Sequence, residues 1–120
     1  MIDISKCANY LKDKEKKRIW EREKIRRKAM AKLSLLNEIF SNFSEVKKAY
    51  IFGSITKEGK FRENSDIDIA LEGKVKEDYF LIWSELEEKL NEGMDLRILD
   101  SGVTSQIIKK EGKLIYERRN

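Results

Sequence analysis

The 120-residue sequence contains no histidine and no proline, and it has a single cysteine, Cys7. Without histidine, imidazole acid/base catalysis, Ser-His-Asp triads and most zinc sites are excluded. One cysteine cannot form an intrachain disulfide, so we expect a reducing, cytoplasmic location. No apolar run reaches the length of a membrane span and the first residues lack the apolar centre of a signal peptide, so we expect no membrane contact.

Charge is abundant and unevenly distributed along the chain. Charged residues make up 40% of the sequence, with a formal net charge of +4. Residues 1–35 contain 12 Lys and Arg against 5 Asp and Glu, an excess of 7, whereas residues 36–120 contain 14 against 17, a deficit of 3. We therefore predict a basic helical arm over residues 1–45 that packs on a core over residues 46–120, within one domain overall.

The arm is predicted to be a helix from about Asn9 to Ser41. Strong helix formers and many opposite charges three and four residues apart support a helix with little buried surface. Its second half carries an apolar stripe at helical spacing that predicts contact with the core. The stripe consists of Ile25, Ala29, Leu33, Leu36, Phe40 and Phe43.

The basic first half of the arm has two interpretations. Because acidic residues are interleaved with basic ones, a solvated helix or a contact in a homo-oligomer is favoured, and nucleic-acid binding is the less favoured interpretation. Ile19 and Trp20 become candidates for partner contacts if this half projects from the core.

Short alternating elements follow the arm and predict an α/β (α+β) sandwich with a small mixed sheet. The predicted strands are Val46–Phe52, Asn64–Glu72, Met94–Leu99 and a possible last strand Lys113–Tyr116. The predicted helices are Glu77–Asn91, ended by Gly93, and Val103–Glu111. The first of these helices is expected to turn Phe80, Leu81, Trp83, Leu86 and Leu90 inward.

The stretch NSDIDIAL places two carboxylates on one side of a strand. Side chains two residues apart point the same way, so Asp66 and Asp68 share a face and repel unless a positive charge lies between them. Asp95 opens the next strand, and Gly53-Ser54 ends the first strand in a turn suited to phosphate oxygens. Each feature alone also fits an ordinary turn, solvated acids or a structural ion pair. Together they fit a divalent metal beside a nucleoside triphosphate.

These residues carry a resemblance to a known family. FGS at 52–54, SDID at 65–68 and the later Asp95 resemble the nucleotidyltransferase superfamily of DNA polymerase β, in particular its minimal nucleotidyltransferase (MNT) proteins. The resemblance extends over Val46–Tyr116. It implies a polymerase β-like fold with a leading charged helix, ATP as substrate and two Mg²⁺ ions as cofactors.

The resemblance also implies roles for individual residues. Gly53 and Ser54 would hold the β- and γ-phosphates. The implied metal ligands and catalytic residues are Asp66, Asp68 and Asp95, the last of which helps to activate the attacking hydroxyl. Many MNT proteins have an arginine after the glycine-serine pair where this chain has Ile55. Lys57 is therefore the expected source of positive charge, with Lys60 and Arg62 as further candidates.

The MNT resemblance implies an antitoxin whose partner is a HEPN-domain toxin. Some MNT proteins transfer AMP from ATP to a tyrosine of that toxin, and this is the favoured expectation for the chain. The alternative is a non-catalytic binding module with a vestigial nucleotide site. A small-molecule or nucleic-acid acceptor is less favoured, because no segment resembles an additional acceptor-binding domain.

Overall fold

The computed structural model describes residues 4–62 and 64–119 and confirms a mixed α/β architecture. Its helices are α1 (Ile4–Leu33), α2 (Leu36–Ser41), α3 (Tyr79–Leu90) and α4 (Val103–Glu111). Its strands are β1 (Lys48–Phe52), β2 (Ile67–Glu72), β3 (Met94–Ile98) and β4 (Lys113–Glu117). A 3₁₀ turn, Gly53–Thr56, follows β1 directly.

The four strands form one mixed sheet in the order β3-β2-β1-β4. Strand β1 is antiparallel to both β2 and β4, whereas β2 and β3 are parallel and are joined through α3. Alternation along the strands gives the sheet two different faces. One carries the main core with Ile51, Ile69 and Leu96, and the other carries a smaller cluster in which Tyr50 and Ala70 pack with residues of α4 and its preceding loop.

The prediction of one continuous helix from Asn9 to Ser41 is wrong, because the helix breaks at Ser34 and Leu35. The Leu35 amide donates to the Lys32 carbonyl at 3.1 Å in a tight turn, and α2 starts at the next residue. The predicted apolar stripe is nevertheless confirmed. Its buried members are Ala29, Leu33, Leu36, Phe40 and Phe43, and Ile25 is half-buried.

Helix α1 projects from the body over most of its length. Residues 5–21 are exposed throughout, and the molecule measures 68 × 30 × 23 Å. Contacts with the body begin at Ile19, whose side chain lies next to Gly59, and Glu23 accepts a hydrogen bond from the Gly59 amide at 3.4 Å. Further along α1, Arg26 Nε donates to the Ile55 carbonyl at 2.7 Å and Lys32 Nζ pairs with Glu92 at 2.9 Å. No helix in the described part of the chain is long and apolar enough to cross a bilayer.

Helix α3 corrects two expectations. Phe80 and Leu81 are 82% and 57% exposed rather than inward. The apolar stripe that faces the core has members three or four residues apart, and residues 80 and 81 lie off it. It consists of Tyr79, Ile82, Trp83, Leu86 and Leu90. Asn91, with φ of 51°, takes the left-handed position that ends the helix, not Gly93.

Candidate active site

The acids predicted for the site lie at neighbouring positions of the sheet. Asp68 on β2 is in register with Asp95 on the parallel strand β3, so both side chains lie on the same face. Asp66 precedes Asp68 by two residues, directly before β2. On the other side, Phe52 at the end of β1 pairs with Asp68, which brings the following 3₁₀ turn to the carboxylates.

Two glycines make room for these carboxylates. Gly53 has φ of +76°, and a Cβ built on it would collide with Asp68 Oδ2. A Cβ on Gly93 would collide with Asp66 Oδ1 in the same way. Gly53 is thus required both by its backbone conformation and by the close approach of the acid. The 3₁₀ turn therefore lies directly against the Asp68 carboxylate.

The electrostatics of the site favour a cation. Burial raises the pKa of Asp68 above its ordinary value, the charges of Asp95 and Asp66 raise it further, and Arg97 opposes them. Among residues 4–62 and 64–119, no ion pair neutralises any of the three acids. Three carboxylates that repel one another on one face have the all-oxygen chemistry that Mg²⁺ prefers.

The acids do not form a finished metal cage. Within the described residues, no group of three or more His, Cys, Asp or Glu side chains is close enough to hold one metal ion as placed. Asp66 and Asp95 are exposed, so their side chains have space to rotate on the solvent side, while Gly93 lies against Asp66 Oδ1. The carboxylate oxygens and the space left by the two glycines fit Mg²⁺. Rotation of the acid side chains would be needed to bring the oxygens to the distances of metal ligands.

The 3₁₀ turn is held from both ends. Thr56 Oγ1 donates to the Gly53 carbonyl at 2.7 Å, and Arg26 from α1 donates to the Ile55 carbonyl. The Ile55 side chain is fully buried in the core, so it anchors the turn and does not face a ligand. Ser54 is half-buried in the same turn. No local sequence pattern indicates the contribution of Arg26, because Arg26 and Ile55 are 29 positions apart.

Lys57 lies directly after the turn and is exposed. It lines a cavity of about 170 Å³ together with Gly53 and Thr56 of the turn and with Glu111 of α4. The lining of this cavity includes none of the three acids. The role of Lys57 in nucleotide binding stays a prediction.

Tyr79 is a further residue next to the site that sequence reasoning assigned no role. Its hydroxyl donates to the Leu96 carbonyl at 2.5 Å, adjacent to Asp95 in β3. Burial raises the pKa of Tyr79, and the charge of Asp95 adds to this effect. The bond ties α3 to β3 beside the acid. No local pattern predicts it, because it depends on how α3 packs on the sheet.

The family model described as Polymerase beta, Nucleotidyltransferase matches residues 35–120. The chain belongs to the polymerase β nucleotidyltransferase family. Most of the chain is therefore nucleotidyltransferase core, and α1 lies outside the matched part. The family assignment from FGS, SDID and Asp95 is confirmed. The chemical roles of the individual residues stay predictions.

Two solved structures illustrate the fold that this chain shares with known proteins. A toxin–antitoxin crystallised with AMP-PNP is 24% identical, with a TM-score of 0.57 over 73% of this chain and 74% of that chain. A mutant of the toxin–antitoxin MntA-HpeT is 22% identical, with the same TM-score and coverage. At this identity the similarity establishes the fold. No curated protein matches the chain.

Proposed function

We propose that this nucleotidyltransferase is a Mg²⁺-dependent antitoxin enzyme that transfers AMP from ATP to a tyrosine of a HEPN-domain toxin. The two solved structures of similar fold are toxin–antitoxins, one of them with AMP-PNP, which supports both the partner and the nucleotide. The MNT resemblance of the FGS and SDID motifs supplies the HEPN class of partner and the tyrosine acceptor. We place the reaction in the cytoplasm, because the lone Cys7 suits a reducing compartment.

The observation that carries the proposal is the contact between Gly53 and Asp68, with Asp95 in register beside it. A phosphate-binding turn that touches a pair of repelling carboxylates is the arrangement that nucleotidyl transfer needs. A surface that only binds a partner, or a turn that is only structural, does not require unpaired acids at this position. The mutual repulsion of the acids lowers the stability of the fold.

In the proposed reaction, the backbone amides of Gly53 and Ser54 bind the β- and γ-phosphates, and Lys57 offsets part of their charge. The tyrosine oxygen attacks the α-phosphorus of ATP, the bond from that phosphorus to the β-phosphate oxygen breaks, and pyrophosphate leaves. Asp95 accepts the tyrosine proton. Mg²⁺ held by Asp66, Asp68 and Asp95 would stabilise the charge of this in-line displacement.

The test is to mix the purified protein with ATP, Mg²⁺ and the HEPN protein encoded beside its gene, and to measure intact masses. We expect AMP adducts on a tyrosine of the partner, and we expect none with Asp68→Asn or with EDTA. Asp13→Asn, which removes an exposed acid of α1 outside the family match, is the charge-matched control and should retain activity. A partner that gains no AMP while binding wild-type protein tightly would contradict enzymatic transfer.

A non-catalytic antitoxin is the second candidate. Two observations favour it: Ile55 is buried where many MNT proteins have arginine, and no three acids are grouped as metal ligands among the described residues. The double variant Asp66→Asn/Asp68→Asn separates the two candidates. If covering the toxin suffices, this variant should still inhibit the ribonuclease activity of the partner in the absence of ATP.

A further inference from the structure

The projecting part of α1 contributes nothing to the site described above. The family match begins at residue 35, after α1 has ended at Leu33, and the contacts of α1 with the body lie at Ile19 and beyond it in the chain. Residues 5–21 are exposed over about 25 Å of helix at 1.5 Å per residue. An exposed helix surface of this length that carries large aromatic side chains indicates a binding surface separate from the site.

Two aromatic side chains stand out from the projecting helix. Tyr10 is 66% exposed and Trp20 is 63% exposed. Lysines lie one helical turn from Trp20 on both sides, at Lys16, Lys17 and Lys24, and the Lys24 ammonium is 5.5 Å from the centre of the indole ring. Positive charge therefore lies over the Trp20 ring at Lys24, and two further lysines lie one helical turn before it.

One of the acidic residues that alternate with the basic residues of α1 does not contribute free charge to this surface. Glu23, one turn from Trp20, is turned toward the body, where its side chain is only 13% exposed. It pairs with Arg26 at 2.6 Å and lies 3.6 Å from Arg27, so its charge is neutralised. The placement of Glu23 removes one of the four acids of this half of α1 from the exposed surface, whereas Asp13, Glu15 and Glu21 remain exposed.

One stripe of α1 collects these features, and we name it the aromatic-basic stripe. Its members recur every three or four residues, so they share one face of the helix. They are Tyr10, Asp13, Lys17, Trp20, Lys24 and Arg27. Asp13 is the single acid among them.

We propose that the aromatic-basic stripe binds single-stranded nucleic acid with little sequence preference. Lysine side chains contact the phosphates, and Tyr10 and Trp20 stack on bases, which is the combination used by sequence-tolerant single-strand binding proteins. An acidic peptide could neutralise the lysines, but its carboxylates would not stack on the two exposed aromatic rings. This inference concerns α1 and does not depend on the proposed AMP transfer.

The test measures the binding of a fluorescein-labelled oligouridylate of about ten nucleotides by fluorescence anisotropy at several salt concentrations. We expect wild-type binding in the micromolar range at low salt. The variant Lys16→Gln/Lys17→Gln/Lys24→Gln should bind about 10-fold or more weakly, and its slope of log affinity against log salt should fall by about 2, since each phosphate contact contributes ~0.7. Trp20→Ala should weaken binding about 10-fold through the loss of stacking.

The matched control removes the same charge from exposed lysines of the body, Lys89→Gln/Lys110→Gln/Lys113→Gln, and should bind like wild type. Circular dichroism verifies that α1 remains helical in every variant. Three results would overturn the proposal: an equal loss in the body control, no effect of Trp20→Ala, or competition by polyglutamate as strong as that by unlabelled oligouridylate. The last result would assign the stripe to an acidic protein partner.

Discussion

Gly53 lies so close to Asp68 that a single methyl group on Gly53 would occupy the space of the carboxylate oxygen Oδ2. The contact follows from sheet pairing, because Phe52, which precedes the glycine, is the antiparallel partner of Asp68. The 3₁₀ turn and the acid are therefore fixed relative to each other by the backbone. A change at either residue should disturb both.

We predict that Gly53→Ala abolishes nucleotidyl transfer. The new methyl group must displace Asp68 or the turn, and alanine at φ of +76° adds backbone strain of ~1–2 kcal/mol. A displacement of about 1 Å at a reacting centre can reduce the rate ~100-fold, so we expect a loss of at least that size in the AMP-transfer assay.

Gly59→Ala is the matched control for this substitution. Gly59 has nearly the same φ, +75°, but a Cβ there would meet only the Ile19 side chain at an ordinary 3.6 Å. It should therefore lose a similar amount of stability and keep its activity. Equal activity loss in both variants would show that backbone strain, not the contact with Asp68, is responsible.

The site illustrates what can be predicted from sequence and what cannot. Asp66, Asp68 and Gly53 are visible because strand alternation and turn chemistry are local properties that follow from two or three neighbouring residues. The support that Arg26 gives to the turn depends on packing between segments 29 residues apart, so no local pattern reports it. The helix break at Ser34 is not predicted by local sequence for the same reason, because burial of the apolar residues of α2 outweighs the helix propensity there.

We predict that Asp68→Asn stabilises the protein at neutral pH in the absence of divalent metal while it abolishes transfer. The pKa of Asp68 is raised in the folded state, so its contribution to stability is present below the unfolded pKa and is lost as pH rises through the folded pKa. At neutral pH the charged Asp68 therefore destabilises the fold, and asparagine removes this penalty. Thermal unfolding should show a higher midpoint for the variant.

Two further measurements test this explanation of Asp68. The difference in midpoint should shrink as pH is lowered into the acidic range, because wild-type Asp68 then becomes protonated. Mg²⁺ should raise the midpoint of wild type more than that of Asp68→Asn. Asp13→Asn, an equal change of charge on the exposed arm, should leave the midpoint unchanged. A lower midpoint for Asp68→Asn across the whole pH range would refute the electrostatic argument.

Arg118 is predicted to help hold α2 on the sheet through side-chain hydrogen bonds. Its guanidinium donates to the Val46 carbonyl at 3.1 Å and to the Phe43 carbonyl at 2.9 Å, and it also reaches the Phe40 and Ser41 carbonyls at the end of α2. Arg118→Gln should reduce the free energy of unfolding by ~2 kcal/mol, measured by urea denaturation. The neighbouring exposed Arg119→Gln should change it by less than ~0.5 kcal/mol.

Tyr79 is predicted to position Asp95 rather than to react. Tyr79→Phe removes the hydrogen bond to the Leu96 carbonyl and leaves the ring contact with Trp83 in place, so the fold should be retained. With β3 less firmly held, we expect kcat for AMP transfer to fall ~10-fold, KM for ATP to stay constant and the Mg²⁺ concentration for half-maximal activity to rise. Tyr10→Phe, which removes an exposed hydroxyl near the start of α1 and away from the site, serves as the control. A purely structural role for Tyr79 would lower the unfolding midpoint without shifting the Mg²⁺ dependence, and that outcome would remove Tyr79 from the account of the site.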